Sequence, residues 1–400
     1  MKTYKWFFLI LVSGVFCACS GTSEEELIGD WQRRQSVPGT GRCHAATFVI
    51  GNKGYVIGGY NGFNALRREV EEFDHSVGKK GVWNDERRYL PDHIPARQQA
   101  VGFSLYGKGY VGTGWAFLGT DNETTLNDFW QFDPEEYDPT IEDEEERLES
   151  WERCWKEVAP LPAAARRGAI AFSLEIPKGS NKWFGFVGCG FTGDSDNEYL
   201  FDFWKFDPNE VGVEGKIGKW TPLPLADKYP GGKRAGAVVF VIDNKAYICL
   251  GENPTNLVDF WVFDPNAPSG EHWFELRKMT NADRDEDYDD DYGPLARAYG
   301  VAYVAMANGQ LRGHIVGGKS GYGYTNWEYD HNPVNEGGDL WIQRTRFYNN
   351  NVSQTREGMI SFSFPNSGRA FVGLGRSGVT NWDDFWEFIP LIEDYTYDDI

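Results

Sequence analysis

From Arg42 the chain reads "RCHAATFVIGNKGYVIGG": an alternating apolar run, a turn of Gly, Asn and Lys, then a second run ending in Gly. Alternation with period two predicts a strand, and two such runs around a short turn predict a hairpin. The pattern returns from Arg97 ("RQQAVGFSLYGKGYVGTG"), Arg166, Arg234, Arg297 and Arg356. Each copy has Arg, five residues, then an aromatic: Phe48, Phe103, Phe172, Phe240, Tyr303 and Phe362. The spacing between copies is roughly 63 residues, which marks a structural repeat rather than unrelated domains.

Each hairpin leads through a variable loop to a third run. It reads "LNDFWQFDP" at 126–134, "LFDFWKFDP" at 200–208 and "LVDFWVFDP" at 257–265. Weaker counterparts are "EVEEFD", "TNWEYD" and "DFWEFI". A fourth short run carries Trp83, Trp155, Trp220, Trp273 or Trp341. Four antiparallel strands repeated six times predict an all-β, six-bladed β-propeller. The sixth repeat stops after its third strand, while an orphan Trp run, "DWQRRQSVP" with Trp31, opens the body. The N-terminal strand should therefore close the last blade and leave no open edge.

Gly-Gly after a strand, an aromatic-acidic third strand and a Trp beyond it resemble kelch repeats over residues 29–390. Gly58–Gly59 and Gly317–Gly318 keep the pair; the other copies read Thr113–Gly114, Cys189–Gly190, Leu250–Gly251 and Leu374–Gly375. The surviving Gly is expected at positive φ or at a close backbone approach. The resemblance implies a galactose-oxidase central-domain-like propeller whose ligand site lies on the face shared by the second-to-third and fourth-to-first loops.

The ends carry different signals. Residues 1–18 begin basic, continue as "WFFLILVSGVF" and end at "FCACSG". That is a signal-peptide length of apolar chain, too short to span a bilayer in the usual way. The site resembles the lipobox of bacterial lipoproteins, which implies lipidation of Cys19 and anchoring in the cell envelope, at the outer membrane. Ordinary secretion with cleavage nearby is the alternative. Residues 19–28 read as a tether, its Glu run either a surface-export signal or a solvated linker. Residues 391–400 read as an acidic tail.

The formal charge is −21, and removing the leader with Lys2 and Lys5 makes the chain more acidic still. Such a surface repels nucleic acid. Cys43, Cys154, Cys189 and Cys249 fall in different repeats and match no zinc spacing, so buried free thiols are expected, with a Cys189–Cys249 bridge as the alternative. A stretch at Glu144–Cys154 reads as a short charged helix. Alternating aspartates in 281–293 lack the Gly and closing Glu of a calcium loop and read as an acidic loop.

Residues repeated in every blade build the blade. The six Arg are expected to bind carbonyls or the third-strand Asp (Asp128, Asp202, Asp259, Asp384) rather than a ligand. Ligand chemistry should sit where the repeat varies. Two places after each Arg the chain reads His44, Gln99, Gly168, Gly236, Tyr299 and Gly358, so His44, Gln99 and Tyr299 are candidate channel-mouth residues. The loops add Tyr60, Trp115, Glu252, Lys319, Tyr322 and Arg376. Aromatic planes beside carboxylate and cationic groups suit a sugar or a protein ligand.

Two catalytic families share this fold. Galactose oxidases hold copper through His and Tyr. None of the six His here forms a pair at ligand spacing, so no metal or other cofactor is expected. The six-bladed sialic acid mutarotase of the bacterial envelope is also similar in fold and compartment. That resemblance implies acid–base groups and a cation near a sugar, roles for which Glu252 and Arg376 are candidates. The preferred expectation is a lipid-anchored binding module for a glycan or protein ligand without catalysis of its own; a sugar mutarotase or epimerase is the alternative.

Overall fold

The computed structural model describes residues 27–392, apart from 63–64, 119–121, 194–197, 278, 280–289, 332–340, 350–351 and 354. The leader, Cys19, most of the tether, the acidic loop up to Asp289 and the tail from 393 lie outside the described residues.

Six antiparallel sheets stand around one axis. Blade 2 shows the unit: Val101–Leu105 pairs Lys108–Gly112, which pairs Phe129–Phe132, which pairs Trp155–Val158. Blade 1 splits its outer strand into Val82–Trp83 and Arg88–Tyr89. Blade 6 is composite. Ile360–Phe364, Arg369–Gly373 and Phe385–Ile389 come from the C-terminal end, and Asp30–Arg34 completes the sheet with Trp31 opposite Phe388. The predicted closure by the N-terminal strand is the observed one.

The repeated aromatic explains how blades pack. Phe103 stacks on Tyr110 of its own hairpin, centroids 5.3 Å apart, and Phe240 stacks on Tyr247 at 5.1 Å. Its other side meets the second strand of the next blade. A Cβ on Gly109 would run into Phe48, on Gly185 into Phe103, on Gly313 into Phe240 and on Gly54 into Phe362. Each ring thus fills a space that a small residue leaves in its neighbour, and burying it contributes about 2–3 kcal/mol.

The recurring Arg clamps the top of blades 2 to 6; in blade 1, Arg42 keeps, among the described residues, only a 3.4 Å bond to the Thr40 carbonyl and stands 3.8 Å from Glu71. Arg42, Arg97, Arg166, Arg234, Arg297 and Arg356 are all at most 1% exposed. Arg97 holds Asp128 through two bonds of 2.7 Å and also donates to the Thr113 carbonyl at 3.1 Å. Arg166 with Asp202 and Arg356 with Asp384 repeat the fork, and Arg234 bonds Asp259. The Trp two residues after each Asp donates its Nε1 to the same carboxylate: Trp130, Trp204, Trp261 and Trp386. Burial opposes the charge on Asp202, but the hydrogen bonds and attraction of Arg166 outweigh it and lower its pKa.

The four described cysteines are free and buried. Burial raises their pKa values, Cys154 and Cys189 to about 12. The charged stretch forms a helix over Glu144–Arg153, capped by Asp143 accepting from the Glu146 amide at 3.0 Å. Its Trp151 is buried against Phe132, so one residue of this acidic helix belongs to the core.

Candidate functional site

The residue two places after each Arg has left-handed backbone in all six blades, with φ of 57° at His44, 52° at Gln99, 61° at Gly168, 62° at Gly236, 56° at Tyr299 and 62° at Gly358. That turn aims each peptide at its neighbour. His44 donates its amide to Gly358 (2.8 Å), Gln99 to His44 (2.9 Å), Gly168 to Gln99 (3.0 Å), Gly236 to Gly168 (2.9 Å), Tyr299 to Gly236 (2.8 Å) and Gly358 to Tyr299 (3.0 Å). Six peptides form a closed cycle around the axis.

A second cycle is built by the Gly that ends each second strand. Its amide donates to the carbonyl of the next blade's Arg: Gly59 to Arg97, Gly114 to Arg166, Gly190 to Arg234, Gly251 to Arg297, Gly318 to Arg356 and Gly375 to Arg42. These glycines have φ between 91° and 106°, and a Cβ at Gly114 or Gly251 would stand 2.7 Å from a carbonyl oxygen. Both the positive φ and the close approach anticipated for this position are present.

The inner cycle carries the floor of a mouth. The rings of His44 and Tyr299 meet edge to face, 5.5 Å apart. They leave no room for other side chains: a Cβ on Gly236 would lie 2.9 Å from the Tyr299 ring, and on Gly358 2.6 Å from His44 Nδ1. Gln99 Oε1 is buried with no hydrogen-bond donor among the described residues.

Above the floor, the residue after each Arg bridges the residue after each second-strand Gly. The pairs are Cys43 with Tyr60, Gln98 with Trp115, Arg167 with Phe191, Ala235 with Glu252, Ala298 with Lys319 and Glu357 with Arg376. This register brings Tyr60, Trp115, Glu252, Lys319 and Arg376 into one ring of positions above His44, Gln99 and Tyr299. Tyr322 stays apart: it is 51% exposed in the turn after Lys319, and no described contact ties its ring to this group.

Lys319 Nζ donates to Glu252 Oε2 at 3.0 Å, which raises the Lys319 pKa. Arg376 donates to Glu357 Oε1 at 2.5 Å, and that bond raises the Arg376 pKa. Arg167 differs. Its guanidinium lies 5.5 Å from the Phe191 ring centroid and has no carboxylate partner among the described residues. Phe191 in turn contacts Tyr199 at 4.8 Å. Enclosure pulls the His44 pKa down to about 4; Glu357 opposes this while Arg376 and Arg167 reinforce it. Burial, then Glu252, push Tyr299 upward, and the same two causes lead for Tyr199. The floor is therefore neutral at pH 7, beneath three cations, two carboxylates and several aromatic planes.

Arg167, Glu357, Phe191 and Tyr199 were not among the residues singled out from the sequence. The signal was the strand register. Once the position after Gly faces the mouth, its bridge partner one place after Arg must do so too. Among the described residues, no group of three His, Cys, Asp or Glu side chains stands close enough to hold a metal ion.

The fold and this site define a six-bladed β-propeller with a mixed-charge, aromatic mouth on its axis. The solved structure of YjhT superposes with a TM-score of 0.60 at 14% sequence identity, over 88% of this chain and 95% of that one. That likeness is one of fold. No family model and no curated protein sequence matches the chain.

Proposed function

We propose that the mouth binds a small acidic ligand of the acidic-sugar class, and that the protein recognises this ligand rather than converting it. Arg167 carries the reading. Lys319 and Arg376 are each neutralised by a carboxylate, whereas the Arg167 guanidinium lies over the Phe191 ring and has no carboxylate partner among the described residues. A ligand carboxylate supplies the missing partner through charge-assisted hydrogen bonds, and the planes of Phe191, Tyr199 and Trp115 suit the apolar face of a sugar ring. A local excess of positive charge in a chain of net charge −21 also favours an acidic ligand over a neutral one.

Calorimetry with sialic and uronic acids beside their neutral counterparts tests this. Acidic sugars bind, Arg167→Ala weakens that binding about 10- to 100-fold, and neutral sugars show no binding that depends on Arg167. Equal binding by the variant sinks the reading.

A second reading, sugar mutarotation, is favoured by Glu252 and Glu357 sharing the mouth with His44, since acid and base groups beside an anomeric carbon are what ring opening needs. NMR of sialic acid anomers separates the two. Anomer exchange accelerated by the protein and abolished in Glu252→Gln makes it an enzyme; binding without acceleration keeps it a binder.

The same proposal places the propeller in the cell envelope, tethered through lipidated Cys19. Palmitate labelling that is lost in Cys19→Ala supports the anchor, and labelling that persists removes it.

A further inference from the structure

Blade 3 breaks the repeat at the end of the axis opposite the mouth. In the other blades, the residue before the small position of the second strand is basic: Lys53, Lys108, Lys245, Arg312 and Arg369. Each pairs with a carboxylate near the end of the third strand: Glu72, Asp133, Asp264, Asp330 and Glu387. Blade 3 places Phe184 there, with Trp183 before it, and Lys205 covers the Phe184 ring instead. Its hairpin is also longer. Residues 176–182 separate the two strands, where blades 1, 2 and 4 use two residues.

This longer loop is held in place. The nearly buried Glu175 carboxylate accepts the Gly179 amide at 2.7 Å and the Asn181 amide at 2.5 Å. Asn244 of blade 4 exchanges two bonds of 2.8 Å with the Glu175 backbone. On the other side, the Trp183 amide donates to the Tyr106 hydroxyl of blade 2 at 2.8 Å. Between these supports opens a cavity of about 400 Å³, lined by Val49, Leu105, Tyr106, Ser173, Asn181 and Trp183 among others. Trp183 is 38% exposed and Tyr106 47%, and neither ring stacks on another aromatic among the described residues. No charged side chain lines the cavity.

We propose that this cavity is a second binding site, for a neutral sugar ring. The fold does not require the exposed indole, since the other five blades place Asn52, Gly107, Asn244, Leu311 and Gly368 at the position of Trp183. The apolar floor of Val49 and Leu105 and the two free aromatic rings fit the C–H face of a pyranose. The Ser173 hydroxyl, oriented by its bond to the Ser104 carbonyl at 2.8 Å, and the Asn181 amide stand where ring hydroxyls need partners. The absence of lining charge excludes the acidic ligand proposed for the mouth, and this site does not depend on that proposal.

Saturation-transfer NMR and tryptophan fluorescence titration of the full chain with neutral hexoses and disaccharides test it. At least one neutral saccharide binds, perturbs indole emission and binds roughly tenfold more weakly to Trp183→Ala and Tyr106→Ala. Arg167→Ala leaves this binding unchanged, which separates failure here from failure at the mouth. Asn181→Gly, on an exposed loop and suited to the left-handed backbone there (φ 58°), serves as the variant least able to disturb folding and also weakens binding. The proposal is overturned if no neutral saccharide binds at millimolar concentration, or if the Trp183 and Asn181 variants bind as the parent does.

Discussion

Blades 5 and 6 stand side by side and solve the same problem differently. In blade 6, Arg356 forks onto Asp384, which also accepts Trp386 Nε1 at 3.0 Å. In blade 5 the carboxylate is replaced by Thr325. Arg297 turns instead to the carbonyls of Pro294, Leu295, Gly317 and Thr325 at 2.8–3.1 Å, and to the Thr325 hydroxyl at 2.7 Å. Trp327 Nε1 follows to the same hydroxyl at 2.9 Å. Burial pulls the Arg297 pKa down, and no carboxylate among the described residues opposes it. The second strand differs as well: blade 6 has Phe371 where blade 5 has His314, fully buried and stacked on Tyr303 at 4.8 Å. The departure at the Arg297 clamp is compensated by neighbouring groups. At the mouth Arg167, and at the blade 3 cavity the exposed Trp183 ring, have no such partner among the described residues, which is why those places carry the functional argument.

The comparison breaks most sharply at the carboxylate. Asp384→Ala strands Arg356 in the core and costs about 3–5 kcal/mol, whereas Thr325→Ala removes one hydroxyl and costs about 1 kcal/mol. Urea denaturation midpoints measure both, and equal losses would show that the two clamps are not different in kind.

Acid is the next probe. His314 has its pKa lowered to about 4 by burial, against an ordinary 6.5, so the unfolded chain binds a proton that the folded one resists. The resulting stability is intact above pH 6.5 and lost as pH falls toward 4, on the order of 3 kcal/mol. Its neighbours Glu328, Arg344 and Arg312 remain, and Glu328, held below its usual range despite burial by Arg344, titrates below most of that window. His314→Phe, copying blade 6, should flatten this part of a stability-against-pH curve; His44 maintains a similar slope of its own. An unchanged curve would place the acid sensitivity elsewhere.

Gly236→Ala combines left-handed backbone with a contact at 2.9 Å to the Tyr299 ring and should cost about 2 kcal/mol. The double variant with Tyr299→Ala recovers the steric part in thermal unfolding. Smallest is Thr325→Asp, which gives blade 5 the clamp of blade 6 and should stabilise by about 1 kcal/mol; a loss instead would mean that the carbonyl cage no longer admits a carboxylate.

The period-two runs and the orphan Trp31 made blade number and closure legible, because strand alternation and ring closure leave marks in the chain itself. His44, Gln99 and Tyr299 were legible as variation inside a fixed frame. The three glycines at the same position looked like freedom, yet the rings of Tyr299 and His44 demand them. Arg167 and Glu357 were hidden because their place depends on pairing across a loop, and Tyr322 was picked out by composition alone. Trp183 was hidden because a long hairpin shifts it out of the repeat alignment.

The strand around Trp31 has a consequence for the order of manufacture. Its partner, Phe385–Ile389, lies near the other end of the chain, and Trp31 Nε1 reaches the Thr345 carbonyl across 314 positions. The first described strand to leave the ribosome therefore waits, unpaired, for nearly the last. A message cut short anywhere before that partner yields a ring with a gap, an exposed edge and an orphaned indole, so the closure doubles as a proofreading of length.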